Sequence, residues 1–219
     1  LLEIVQDVMN DMTSDNINSI SDTEESIQIA QIAKSTYFEL ITRRDWPHLS
    51  KFTTLSSLGL TSKPTHLLVP ENISKVDWFK YNKKRISETR NRYEDVKYLH
   101  PDDFILKTNS RDLDNSNVIE VVDFGGATLQ VYNDRQPEYY TSFDDKYIIL
   151  DSYNVAIESS VHGTNTQIKA YITPVWITED NAVPDLPMEV FPAYIAEIKS
   201  IAKYRLESMV DEKAEQQST

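Results

Sequence analysis

The hydrophobic period of this sequence changes twice along the chain. As far as Trp46, apolar residues recur every three or four positions, as in amphipathic helices. From His48 to Ile177 they alternate every second position, as in strands, and from about Met188 the helical spacing returns. The pattern predicts an α+β protein with helices at both ends of the chain and a β-rich middle.

Two helices are predicted in the first part of the chain, over residues 1–12 and over Ile20–Trp46. The second has Ser21 and Glu24 at capping-box spacing, and Pro47 ends it because proline disfavours helix in the preceding residue. Its polar residues form one narrow stripe: Gln28, Gln31, Ser35, Glu39 and Thr42. Since much of the remaining circumference is apolar, we expect this helix to be central in a bundle or to contact another subunit.

Short β-rich runs separated by turn signals such as Gly125-Gly126 fill the middle of the chain. The predicted strands cover 66–69, 75–82, 93–99, 118–122, 127–132, 146–150 and 166–177. Many short strands with such turns favour an antiparallel β-sandwich or a barrel-like module. A brief helix is predicted over Pro101–Thr108, with proline in its first turn.

The domain organisation follows from these elements. A last helix is predicted from about Met188 to Glu212, and the helices at the two ends of the chain are expected to pack together. We therefore predict a helical bundle formed by residues 1–47 and 185–219, with residues 48–184 inserted as a β-rich domain.

Composition narrows the class of protein. The chain has 219 residues and no cysteine, so disulfides and thiolate-bound metal centres do not arise. No apolar run approaches the roughly 18 residues of a membrane span, and we expect no membrane partner. A net charge of −13 favours solubility, or a surface that repels DNA and binds proteins, because tight phosphate binders usually carry a basic face.

No pattern of residues indicates catalysis. The four histidines form no metal-ligand spacing, and we find no nucleophile-elbow, phosphate-loop or dinucleotide motif. The adjacent carboxylates Asp102-Asp103, Asp144-Asp145 and Glu179-Asp180 would suit a glycosidase only if two of them faced each other across a cleft. We expect no catalytic residue, no metal site and no cofactor, and thus a protein that is not an enzyme.

Residues 80–92 form a basic segment in an otherwise acidic chain. The segment contains one acidic residue, Glu88, and six basic ones: Lys80, Lys83, Lys84, Arg85, Arg90 and Arg92. Such a run is often the solvated tip of a hairpin. The alternative is a surface that docks on an acidic protein or on DNA phosphate. For the docking interpretation, the candidate residues are Lys83, Lys84, Arg85, Arg90 and Arg92.

Three stretches together resemble a known family. They are EESIQIAQIAKSTYFELITRRDWPHL near the start, DRQPEYYTSFDDKYIILDSYN over 134–154, and FPAYIAEIKSIAKYRLES near the end. Their order and sequence are similar to the head-to-tail adaptors of short-tailed phages, the tail tubular protein A type. The likeness spans most of the chain but contains no catalytic signature.

The resemblance implies a structural virion protein, made in the host cytoplasm and located in the neck of the particle. Such adaptors form a ring, usually of twelve copies, beneath the portal. A helical bundle faces the portal, and a β-sandwich carries the tail nozzle and often fibres. DNA passes through the lumen during ejection without sequence-specific binding. Two alternatives stay open, namely another phage neck or baseplate subunit and a carbohydrate- or receptor-binding β-sandwich.

Overall fold

A computed structural model of the chain describes residues 1–12, 16–85 and 87–217, with side chains described as far as Leu206. The fold is mixed α+β, as the sequence predicts. Contacts divide the chain into a helical unit, formed by Leu1–Leu49 and Pro174–Thr219, and a β unit, Ser50–Thr173.

The helical unit takes its core from both ends of the chain. Its helices are α1 (Leu2–Met12), α2 (Glu24–Thr42) and α4 (Phe191–Gln217). Val5, Ile29 and Ile198, one from each helix, are fully buried in one hydrophobic cluster. The Tyr194 hydroxyl on α4 donates to the carbonyl oxygen of Ala33 on α2 at 2.7 Å. The two ends of the chain therefore complete one core.

Helix α2 begins later than its sequence predicts. The Thr23 side chain accepts from the backbone N–H of Ser26, and the Ser26 side chain accepts in return, so Thr23 and Ser26 form the capping box. The predicted pair of Ser21 and Glu24 is wrong. Ser21 belongs to the preceding turn, which the Asp22 carboxylate closes by accepting from two backbone N–H groups.

The β unit contains eleven strands and helix α3 (Pro101–Asn109) within its described residues. The strands are β1 (Ser50–Thr53), β2 (Ser56–Ser57), β3 (His66–Leu68), β4 (Ile73–Asn82), β5 (Tyr93–Asp95), β6 (Lys97–Tyr98), β7 (Val118–Val122), β8 (Thr128–Tyr132), β9 (Tyr139–Thr141), β10 (Tyr147–Leu150) and β11 (Thr166–Ile172). They form sheets of order β1-β11-β4-β5, β2-β3-β10-β9-β6 and β7-β8. All neighbours are antiparallel except β6 and β9, and no sheet of the described residues closes into a barrel.

The end of the β unit differs from the prediction. The sequence favours a strand over 166–177, whereas β11 ends at Ile172 and Pro174 begins an irregular stretch in the helical unit. Proline has no N–H to donate to a sheet, so the pairing stops before it. Trp176, which lies within the predicted strand, instead packs with its ring centroid 5.1 Å from that of Tyr37 on α2.

Candidate functional site

The basic segment of the sequence forms the β4–β5 hairpin. Pairing places Tyr81 opposite Glu94 and Asn82 opposite Tyr93, and the Lys83 N–H donates to the Arg92 carbonyl oxygen at 2.7 Å. The loop that follows thus starts from a closed and regular pair of strands.

Asn82 shapes the loop from inside. The residue is 9% exposed, and its Oδ1 accepts from the backbone N–H of Arg92 at 2.9 Å and of Lys84 at 3.3 Å. Its Nδ2 donates to Oδ1 of Asn91 at 3.1 Å. A buried amide with these partners fixes the path of the loop, because leaving its polar atoms unpaired would cost the full desolvation penalty.

Part of the positive charge in the segment is neutralised across the hairpin. Lys80 lies 3.6 Å from Asp95, and Glu94 lies 3.5 Å from Lys83 Nζ and 2.8 Å from Arg92 Nε. Glu94 and Asp95 directly follow the basic run, where only the pairing of the strands brings them back to it. The unpaired positive charge is consequently smaller than the sequence indicates.

The remaining candidate residues keep their charge available. Lys84, Arg85 and Arg90 form no ion pair within the described part of the chain. Lys84 is half-buried, and Arg85 and Arg90 are exposed. Lys84 and Arg85 line an open pocket of about 410 Å³ in the β unit. Arg90 is not among the residues of this pocket.

Carboxamides are the commonest side chains in the rest of the pocket lining. Five of them contribute to it: Asn82, Asn91, Gln136, Asn154 and Asn165. The Asn82 amide is already bonded within the loop, and the Asn165 amide donates to Glu158. The cationic side chains of Lys84 and Arg85 are therefore the groups that suit an acidic ligand.

The one carboxylate of the pocket is already engaged. Glu158 accepts from the Tyr81 hydroxyl at 3.4 Å and from the Asn165 side-chain amide. Burial, followed by the nearby Glu158 charge, raises the pKa of Tyr81, so its hydroxyl stays protonated and continues to donate. The negative charge is held by these donors, which leaves Lys84 and Arg85 to meet a ligand.

The paired carboxylates serve local structure. Asp144 closes the turn between β9 and β10 by accepting from the N–H groups of Lys146 and Tyr147. Asp102 and Asp103 lie in the first turn of α3, where the helix dipole favours negative charge. Asp180 accepts from the Ile20 N–H at 2.8 Å. Within the described residues, no three His, Asp or Glu side chains converge as metal ligands would.

A buried histidine–carboxylate pair is the polar site that sequence reasoning missed. His66 Nε2 lies 3.0 Å from Asp123 Oδ1, with the residues 1% and 7% exposed. The Thr65 hydroxyl lies 3.3 Å from the other ring nitrogen. The Nε2–H tautomer satisfies both contacts, since Nε2 then donates to the carboxylate and Nδ1 accepts from the hydroxyl. The partners are 57 positions apart, so no local motif reveals them.

No described helix combines the length and hydropathy that crossing a membrane requires.

Comparison with known proteins assigns no family. The sequence matches none of the protein-family models, and the search of curated proteins finds none similar to it.

Proposed function

We propose that this chain is a structural subunit of a phage virion, a ring-forming head-to-tail adaptor that joins the portal to a short tail and lines the DNA exit channel. The observation that carries the proposal is the arrangement of the chain. Helices from both ends of the chain share one core, while residues 50–173, which lie between these ends in the sequence, form a separate β unit. The family resemblance implies this order of elements.

The finer architecture is part of the proposal. The three terminal helices form a bundle that faces the portal, and the β unit is a sandwich that carries the tail nozzle. In support, α1, α2 and α4 contribute to one hydrophobic cluster. In the β unit, Phe79 of one sheet and Ile148 of another are buried in a common cluster.

An exposed apolar segment of the helical unit supports subunit contacts. Val175, Ile177 and Val183 are 82%, 54% and 79% exposed along the irregular stretch after β11, and Met188, which begins the short 3-10 helix before α4, is 87% exposed. Single exposed apolar side chains are common, but several in one segment are typical of an interaction surface. A ring needs head-to-tail contacts of roughly 1,000 Å² or more, and this segment supplies apolar area for one of them.

The residues that carry the resemblance also build the fold. Segment 134–154 contains β9 and β10. Its buried Asp151 accepts hydrogen bonds from the Arg111 guanidinium and from the N–H groups of Glu138 and Tyr139. A likeness concentrated in such residues concerns the architecture of the β unit. It supports a shared structural role more than a shared binding specificity.

Light-scattering mass after size exclusion tests the proposal. The chain is measured alone and then mixed with the portal protein of the same genome. We expect a large complex with about one copy per portal subunit, because adaptor and portal rings share their symmetry. A portal from an unrelated phage is the matched control and should not bind. A chain that stays monomeric and leaves the portal of its own genome unbound would refute the adaptor role.

A further inference from the structure

A second pocket of the β unit, here called the Tyr98 pocket, has a different character. It measures about 360 Å³, and strands β4, β6, β9 and β10 contribute to its lining. This volume lies within the range of small-molecule sites, roughly 300–1,000 Å³. It shares no lining residue with the pocket beside the β4–β5 hairpin.

An aromatic platform stands at this pocket. Tyr98 is 55% exposed, and its ring centroid lies 5.5 Å from that of Tyr140. The parallel pairing of β6 with β9 places these two residues side by side. Tyr140 is 7% exposed and packs against Phe79 at 5.1 Å. Tyr98 is thus an exposed ring held in place by a rigid aromatic support.

A hydrogen-bonding group stands beside the platform. Ser142 lines the pocket, but its hydroxyl oxygen is inaccessible to solvent, so the polar group that a ligand can reach is the Asp145 carboxylate. Asp145 also lines the pocket and has a φ of 58°, an uncommon conformation for a residue with a side chain. Aspartate adopts this conformation in turns more readily than most residues, and the exposed Asp145 side chain can meet a ligand from there.

The floor and the charge of the pocket narrow the ligand class. Apolar side chains form part of the lining: Val69, Ile73, Val76 and Ile148. Asp77 is already paired with Lys169 at 2.8 Å, and the other two charges of the lining, Asp145 and Lys75, balance formally. A fitting ligand therefore offers one apolar face and several hydroxyls and carries no net charge.

We propose that the Tyr98 pocket binds a neutral carbohydrate. The Tyr98 ring stacks on the C–H face of a hexose, while the exposed Asp145 carboxylate accepts hydrogen bonds from its hydroxyl groups. A sugar ring meets both requirements, because one molecule presents an apolar face and a polar edge. An anionic sugar would be repelled by Asp145 and bind more weakly. Sugar binding at this pocket requires neither ring formation nor the portal.

Saturation-transfer NMR on the isolated chain tests this proposal. Maltose, cellobiose, lactose and N,N′-diacetylchitobiose are the probes, each at millimolar concentration, with glucuronic acid as the anionic comparison. We expect saturation transfer to at least one neutral disaccharide and none to glucuronic acid. Tyr98→Ala should lower the affinity about tenfold, the equivalent of one lost stacking contact.

Phe52→Ala is the matched control, because Phe52 is an aromatic residue of the same unit that is 75% exposed and lies outside the pocket. It should bind the sugar as the unchanged chain does. Failure of all four disaccharides to bind would overturn the proposal, as would equal affinity in Tyr98→Ala. Preferential binding of glucuronic acid would overturn the assignment to neutral sugars.

Discussion

Arg111 and Asp151 form a buried ion pair in the β unit, with Nη2 lying 2.7 Å from Oδ2 and both side chains 6% exposed. The second carboxylate oxygen accepts from the N–H groups of Glu138 and Tyr139 at 2.9 and 3.0 Å. The guanidinium also donates to the Gln130 carbonyl oxygen at 2.9 Å. The pair thus joins the segment after α3 to strands β8 and β9 and to the chain that follows β10.

Removing one partner of this pair should be severe. We expect Asp151→Ala to lower the free energy of unfolding by about 3–5 kcal/mol, because a guanidinium would remain buried without its counter-charge. Urea unfolding followed by circular dichroism measures the effect. Asp134→Ala is the control, since the Asp134–Arg135 pair is more exposed and should contribute roughly 0–1 kcal/mol. Equal losses in the two variants would contradict the prediction.

The His66–Asp123 pair should make stability depend on pH. Burial lowers the pKa of His66 below its usual 6.5, although the Asp123 carboxylate opposes this. Folded protein therefore binds the proton less readily than unfolded protein does. The contribution to stability is complete above about pH 6.5 and falls as the pH drops below that value. The urea concentration at the unfolding midpoint should decrease as the pH is lowered from neutral to about 5.

Titration of Asp123 should continue the loss of stability at lower pH. Burial would raise the pKa of Asp123, but hydrogen bonds from the Gly125 N–H and from His66 outweigh it and lower the pKa below 3.8. Its contribution is present above that value and is lost in stronger acid. His66→Gln should flatten the stability profile between neutral pH and pH 5, whereas His162→Gln, at an exposed histidine, should not. If stability falls with pH equally in the unchanged protein and in both variants, His66 is not the source of the pH dependence.

The capping box of α2 gives a direct comparison between prediction and structure. Thr23→Ala should destabilise the protein by about 1 kcal/mol, because the Ser26 N–H loses its acceptor. Ser21→Ala, at the position that sequence spacing favours, should have an effect within roughly 0.5 kcal/mol. Thermal unfolding of both variants decides between the two caps, and a larger effect at Ser21 would reverse the assignment.

The unpaired cations of the hairpin should govern docking, if the adaptor proposal holds. The double variant Lys84→Glu/Arg85→Glu should weaken the complex with the portal, and the loss should be largest at low salt, where charges are least screened. Lys51→Glu/Lys97→Glu changes the net charge equally at two exposed lysines of the same unit and is the control. Light-scattering mass across a salt series measures both. Unchanged assembly of the Lys84/Arg85 variant would remove this surface from the docking site.

Elements with strong local patterns were predictable from sequence. The polar stripe of α2 is exposed as its spacing indicates, and α3 begins at Pro101 as predicted. Strand β9 was not predicted, because its three residues show no alternation and its pairing with β6 and β10 is nonlocal. Strands β1 and β2 were missed as well, since their exposed residues carry no apolar period.

The candidate site was harder to predict than the fold. The basic run was visible in the sequence, but its partners Glu94 and Asp95 meet it only through the register of β4 and β5. The Tyr98 pocket likewise depends on a parallel pair of two short strands. Residues brought together in this way are neighbours only because the strands pair, and a local sequence pattern cannot predict them.

The shared core of the helical unit has a consequence for the order of events during synthesis. Helices α1 and α2 are synthesised before the β unit, yet Tyr194 and Ile198, which fill their core, are made only after the whole β unit. Loop closure across more than 120 intervening residues must precede that packing. Helices α1 and α2 are therefore made before the β unit but reach their native environment only after it, and a chain truncated before α4 would leave the apolar face of α2 open to solvent.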